Sequence, residues 1–199
     1  MLFRSFKTHH LQFAKDLAAS GFLAAAACYY TANWTTTSAT APPQPATAPD
    51  GVACPNAPAP DFQGSASGAW PNIAVLVRAL RTVPGVRADR VALFGHSRGS
   101  AGVIYSSAVG VGVQAVVAAA GYPTQYLGGI AVPVLMIQGT ADNIVPLQSA
   151  RDAESALRAA GKSVEAQYYD GGIHQLSFDD RWHGQVIQRV ATFLDKYLR

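Results

Sequence analysis

Val91-Ala92-Leu93-Phe94-Gly95-His96-Ser97-Arg98-Gly99-Ser100 is the stretch that decides how this 199-residue sequence folds. The apolar run from Val91 to Phe94, closing at Gly95, is long enough for a buried strand. The five residues from Gly95 to Gly99 match G-x-S-x-G, and the small, proline-free residues that continue to Ala108 suit a helix packed close to a sheet. Strand, sharp turn, helix is the inferred order. A serine at such a turn is presented at the strand's end, and its glycine neighbours leave room for the flanking backbone. The pattern alone is moderately specific; the strand before it and the helix after it carry the reading.

The same alternation extends in both directions. Downstream, residues 113–121 (VQAVVAAAG), 133–139 (PVLMIQG) and 164–170 (VEAQYYD) read as inner strands, with a helix from about Leu147 to Ala160 between the last two. A final helix carries Val186, Ile187, Val190, Phe193, Leu194 and Tyr197 on one stripe. Upstream, Ile73, Leu76, Val77, Leu80 and Val83 form another stripe that ends at Pro84-Gly85. Residues 11–20 suit a helix stopped by Gly21, and Phe22 to about Tyr30 reads as a buried strand. From about 35 to 60 the composition turns to Thr, Ala and Pro, which predicts an exposed loop. The whole predicts an α/β chain, one domain over residues 1–199, with a mainly parallel sheet covered by helices on both faces.

Composition removes several classes of function. Hydrophobic residues make up 49% and charged residues 14%, the balance of a packed globular chain. The net charge of +3 comes from scattered basic residues rather than a Lys/Arg block, so nucleic acid is not an expected partner. No run approaches the ~20 apolar residues of a membrane span. The opening MLFRSFK and the later GFLAAAAC have signal-peptide character, but Lys15 and Asp16 interrupt the stretch, which favours a folded segment. Cys28 and Cys54 are one disulfide in an oxidising compartment or two unrelated thiols in the cytosol, so both a secreted and a cytoplasmic location stay open. With no His/Cys cluster, no G-x-G-x-x-G and no G-x-x-x-x-G-K, neither metal nor cofactor is expected.

A serine hydroxyl becomes a nucleophile only when a base takes its proton, and a carboxylate must fix that base's tautomer. Two histidines follow Ser97. His174 lies on a glycine-containing loop after the strand at 164–170, whereas His183 falls near the start of the final helix. Among the acids between Ser97 and His174, Asp142 occupies a short loop directly after an inner strand, in Gly139-Thr140-Ala141-Asp142. Asp152 and Glu154 belong to a solvated helix face, and Asp170 is placed to cap a turn.

VALFGHSRGS, VPVLMIQGTADNIVP and GGIHQL together resemble the α/β-hydrolase family, most closely its dienelactone-hydrolase-like and esterase branch. The segment FAKDLAASGF is similar to the family's stretch after the oxyanion loop. The resemblance implies the α/β-hydrolase fold, with Ser97 as nucleophile, Asp142 as acid, His174 as base and the Arg98 backbone N–H as an oxyanion donor. True dienelactone hydrolases carry cysteine at the nucleophile position. Ser97 therefore points to carboxylic esters, small or polymeric, or less often amides, cleaved through an acyl-enzyme. Family members also place an apolar strand and an HG-type loop ahead of the first helix, and this chain begins too late for that strand to be expected. The second oxyanion donor then falls to the backbone of Thr8, His9 or His10, or the sequence is an N-terminal truncation of a longer protein. Two other readings compete: a non-catalytic or truncated hydrolase-like binding domain, and an acyltransferase. Trp34, Tyr122, Phe178 and Trp182 are candidates for an acyl pocket, with core packing as the alternative.

Overall fold

The computed structural model describes residues 2–3, 8–28 and 70–199. Within them the chain forms β1 (Leu2–Phe3), α1 (Thr8–Ala19), β2 (Ala27–Cys28), α2 (Asn72–Arg81), β3 (Ala92–His96) and α3 (Arg98–Ala108). It continues through β4 (Ala115–Ala119), β5 (Val134–Gly139), α4 (Leu147–Ala159), β6 (Val164–Tyr169) and α5 (His183–Leu198). The strands lie in the order β2-β1-β3-β4-β5-β6, and every pairing is parallel. Residues 164–170, expected as an inner strand, instead give the edge strand β6 among the described residues, half-buried from Glu165 to Tyr168, because a strand with a neighbour on one side alone can carry Glu165 and Gln167 toward solvent.

The sequence pattern explains the layering. β4, Ala-Val-Val-Ala-Ala, is buried along its whole length, as a strand covered on both faces must be. In β5 successive side chains point to opposite faces. Val134 and Met136 join a core with Ile73 and Val77 of α2, Ile104 of α3 and Leu157 of α4. Leu135 and Ile137 join the opposite core with Phe13 and Leu17 of α1 and Val186, Val190 and Phe193 of α5. Ile73 and Val77 of α2 and Val186, Val190, Phe193 and Leu194 of α5 are the buried part of the stripes read from sequence, while Leu76, Leu80, Ile187 and Tyr197 are half-buried and Val83, past the end of α2, is exposed.

The N-terminal part departs from expectation in two places. The strand expected from Phe22 to about Tyr30 shrinks to Ala27–Cys28. Its alanine run lacks the β-branched side chains that favour a pleated surface, and among the described residues β2 has a partner on one side, β1. A strand does precede the first helix: Leu2 pairs with Gly95 of β3 and Phe3 with Cys28, so β1 lies between β2 and β3. Two residues are too few to show a period, and pairing with neighbours defines this strand. Cys54, Trp34 and the Thr/Ala/Pro-rich stretch at 35–60 lie outside the described residues.

Candidate active site

β3 delivers the chain to Ser97 at the sheet's C-terminal end. Ser97 has φ 55° and ψ −115°, a positive φ that a residue with a Cβ adopts only at a cost of order 1–3 kcal/mol. The strain is held by bonds on both sides of the turn. Ser97 N–H donates to the Ala119 carbonyl of β4 at 2.7 Å, and Ala101 N–H donates to the Ser97 carbonyl at 3.1 Å. Gly95 permits the approach: a Cβ there would overlap the Gly99 carbonyl at the start of α3. Arg98 is the first residue of α3, so its N–H has no partner within the helix.

Two loops bring the other candidates to this serine. His174 follows β6 and Asp142 follows β5, and both are buried. His174 Nε2 lies 3.1 Å from Ser97 Oγ, and His174 Nδ1 lies 2.9 Å from Asp142 Oδ2. A carboxylate only accepts, so Nδ1 carries the hydrogen and Nε2 presents its lone pair to the serine hydroxyl. The loops are joined to each other. Ala141 N–H donates to the Gly172 carbonyl and Thr140 N–H to that of Tyr169, each at 2.9 Å. Gly171 N–H donates to Thr140 Oγ1, which in turn donates to Asp170 at 3.1 Å. Gly139 lets the strands' ends meet, since a Cβ on it would strike the Gly172 carbonyl.

Asp142 accepts four hydrogen bonds. Ile144 and Val145 N–H reach Oδ1 at 2.8 Å each, while His174 Nδ1 and Gln138 Nε2 reach Oδ2 at 2.9 and 3.0 Å. Burial acts to raise this carboxyl, and the Val145 N–H, the His174 imidazole and the Ile144 N–H outweigh it, holding the group below its ordinary range. Gln138 also donates to the Val145 carbonyl at 2.9 Å. The reversed amide would set its oxygen against two acceptors, so its orientation is fixed. Its sequence signal is a polar residue inside an otherwise apolar inner strand. His96, the last residue of β3, is a second buried neighbour that sequence reasoning passed over.

The remaining candidates sort by contact. His183 binds Asp16 of α1 through Nε2 at 2.7 Å and the Ser177 carbonyl through Nδ1 at 2.8 Å, which ties α5 to α1 away from Ser97. Tyr122 is buried, its hydroxyl donating to the Ile137 carbonyl at 2.6 Å, and Trp182 packs in the α1/α5 core. Phe178 stands beside the site, its ring 5.0 Å from those of both His10 and His96. An apolar hollow of about 550 Å³ between α1, α2 and the sheet includes none of Ser97, Asp142 and His174. Among the described residues, no cluster of three or more metal-ligating side chains occurs, and no helix is long and apolar enough to cross a membrane.

No curated protein matches the chain. Solved structures do. An acylaminoacyl peptidase of Pyrococcus horikoshii aligns with a TM-score of 0.60 and 16% identity over 66% of this chain and 28% of its own. An esterase of Pyrococcus furiosus aligns with a TM-score of 0.62 and 15% identity over 70% and 66%. A dienelactone hydrolase-like promiscuous phosphotriesterase from metagenomic libraries aligns with a TM-score of 0.59 and 17% identity over 67% and 64%. The chain thus spans under a third of the peptidase and just under two thirds of the other two. At these identities the likeness establishes the α/β-hydrolase fold. The model of the dienelactone hydrolase family matches residues 5–192, nearly the full sequence, and the chain belongs to that family of hydrolases.

Proposed function

We propose that this hydrolase cleaves carboxylic esters through an acyl-enzyme, with Ser97 as nucleophile, His174 as general base and acid, and Asp142 as the carboxylate that orients His174. The observation that carries the reading is the continuous line from Asp142 Oδ2 through His174 to Ser97 Oγ, with steps of 2.9 and 3.1 Å, ending on a serine held at positive φ. Ser97 Oγ attacks the ester carbonyl carbon as His174 Nε2 takes its proton. The carbonyl π electrons move to oxygen, and the Arg98 N–H donates to that oxyanion. Collapse breaks the bond to the alkoxy oxygen, which leaves as the alcohol with the proton from His174. Water then attacks the acyl-enzyme, giving its proton to His174, and the second collapse returns the proton to Ser97 Oγ as the acid departs. Asp142 stays ionised and stabilises the imidazolium in both halves. The second oxyanion donor is proposed to come from the backbone of Thr8, His9 or His10 in α1, where the His9 and His10 rings meet Phe178, whose ring lies 5.0 Å from that of His96.

The test is hydrolysis of p-nitrophenyl esters from C2 to C12 beside Ser97→Ala, with fluorophosphonate labelling of both proteins. Turnover and labelling are expected for the natural sequence and absent in the variant. A folded protein that neither labels nor turns over would overturn the assignment. Labelling with ester product formed only when an acceptor alcohol is present would move it to acyl transfer.

A further inference from the structure

His96 sits between the nucleophile and the base without taking part in the proton line. It is the last residue of β3, adjacent in sequence to Ser97, and is buried. Its Nε2 lies 2.7 Å from the main-chain carbonyl of His174. A carbonyl only accepts, so this nitrogen carries the hydrogen. The imidazole also packs against the His174 ring, centroids 4.9 Å apart, and against Phe178. Burial holds His96 down at about 4, with the carbonyl contact opposing, so the ring is a neutral single donor near pH 7.

The arrangement does something that the Asp142 contact does not. Asp142 sets the rotation of the His174 ring, and a ring can be correctly rotated on a loop that stands too high or too low over the serine. The His96 bond runs from the residue next to Ser97 to the backbone of His174 itself, so it fixes the loop's height relative to the nucleophile. We infer that His96 is a positioning residue: by donating to the His174 carbonyl it holds His174 Nε2 within hydrogen-bond reach of Ser97 Oγ. The inference rests on the proposed roles of Ser97, His174 and Asp142. A misplacement of ~1 Å at a reacting pair is enough to cost ~100-fold in rate.

The donor can be separated from the ring. Gln Nε2 stands the same number of bonds from Cα as His Nε2, so His96→Gln keeps a donor at the same reach. His96→Leu and His96→Phe remove the donor, and the phenyl ring keeps the packing. The full chain carrying each change is measured for kcat and KM on p-nitrophenyl acetate, for thermal unfolding, and, with nitrogen-15 labelling, for the His174 Nδ1–H proton resonance. His96→Leu and His96→Phe are expected to lose kcat by about tenfold or more with KM within about twofold, and to lose or broaden the resonance. His96→Gln is expected to stay within about threefold of the natural protein and keep the resonance. Should either donor-less variant fail to fold, the other still makes the comparison with His96→Gln. Equal kcat and an intact resonance in a folded donor-less variant would overturn the inference, as would a folded His96→Gln that falls as far as the others. If the natural protein turns over no ester, the proposed function fails, and the resonance, which needs no turnover, still decides the role of His96.

Discussion

Asp142 and His96 show how the same burial acts on an acid and on a base. Four donors keep Asp142 ionised despite its burial, and replacing it by Asn would set an amide where His174 Nδ1–H needs an acceptor. Asp142→Asn is expected to cut kcat by ~10³–10⁴ in a protein that still folds, read as ester turnover beside circular dichroism. His96 has no anion in contact, and burial lowers it to about 4 from an unfolded value near 6.5. The unfolded chain therefore binds the extra proton between these values, so stability is full above pH 6.5 and falls as pH drops toward 4. The groups that bear on His96 are His174, Asp142 and His9. The drop attributable to it is about 3 kcal/mol, and urea unfolding across pH 4–7 should show a shallower slope for His96→Gln than for the natural protein. The carboxyl of Asp142, held below its ordinary value, loses its contribution at lower pH, below that window. Ser97, His174 and Asp142 were legible in sequence because each stands at a strand end in a recognisable turn. Gln138, a polar residue inside β5, and His96, the last residue of β3, were not, because only the folded sheet brings Gln138 to Asp142 and His96 to the His174 carbonyl.

Between elements, the β3–α3 junction is a close fit that has no room for a side chain at Gly95. β3, β4 and β5 were legible because they are apolar runs with punctuation at both ends, and α2 and α5 because their stripes keep a helical period; β6 was legible as a strand but not as an edge, since which strand ends the sheet is decided by pairing. β1 and β2 were not, since two-residue strands take their identity from register with a neighbour, Leu2 on Gly95 and Phe3 on Cys28, and not from any pattern of their own. The junction itself depends on Gly95 having no side chain, because the Gly99 carbonyl occupies the space. In Gly95→Ala the start of α3 must move off the sheet, taking the Ser97 turn with it. That overpacking is expected to cost about 1–3 kcal/mol in urea unfolding. Fluorophosphonate labelling should fall further than stability does, because the shift displaces Ser97 from His174. A Gly95→Ala protein with unchanged stability and labelling would mean that the turn is looser than its contacts indicate.

Across the whole molecule, alternation of helix and strand foretold a parallel sheet covered on both faces, and the strand order β2-β1-β3-β4-β5-β6 emerged only from pairing. That order leaves two apolar cores separated by one sheet, and the site lies at the C-terminal ends of β3, β5 and β6. Ile73 of α2 belongs to one core and Ile137 of β5 to the other, and both are fully buried. Each Ile→Val change removes one buried methylene and is expected to cost about 0.5–1.5 kcal/mol. The two side chains belong to separate cores, so the double variant should lose the sum to within about 0.5 kcal/mol. Both changes should also move a single unfolding transition, because β3, β4 and β5 contribute to both cores and neither core survives loss of the sheet. Urea unfolding of the two single variants and the double variant is the check. A coupling well beyond that margin would mean that strain crosses the sheet, in which case a core substitution far from Ser97 would also disturb the loops carrying Asp142 and His174.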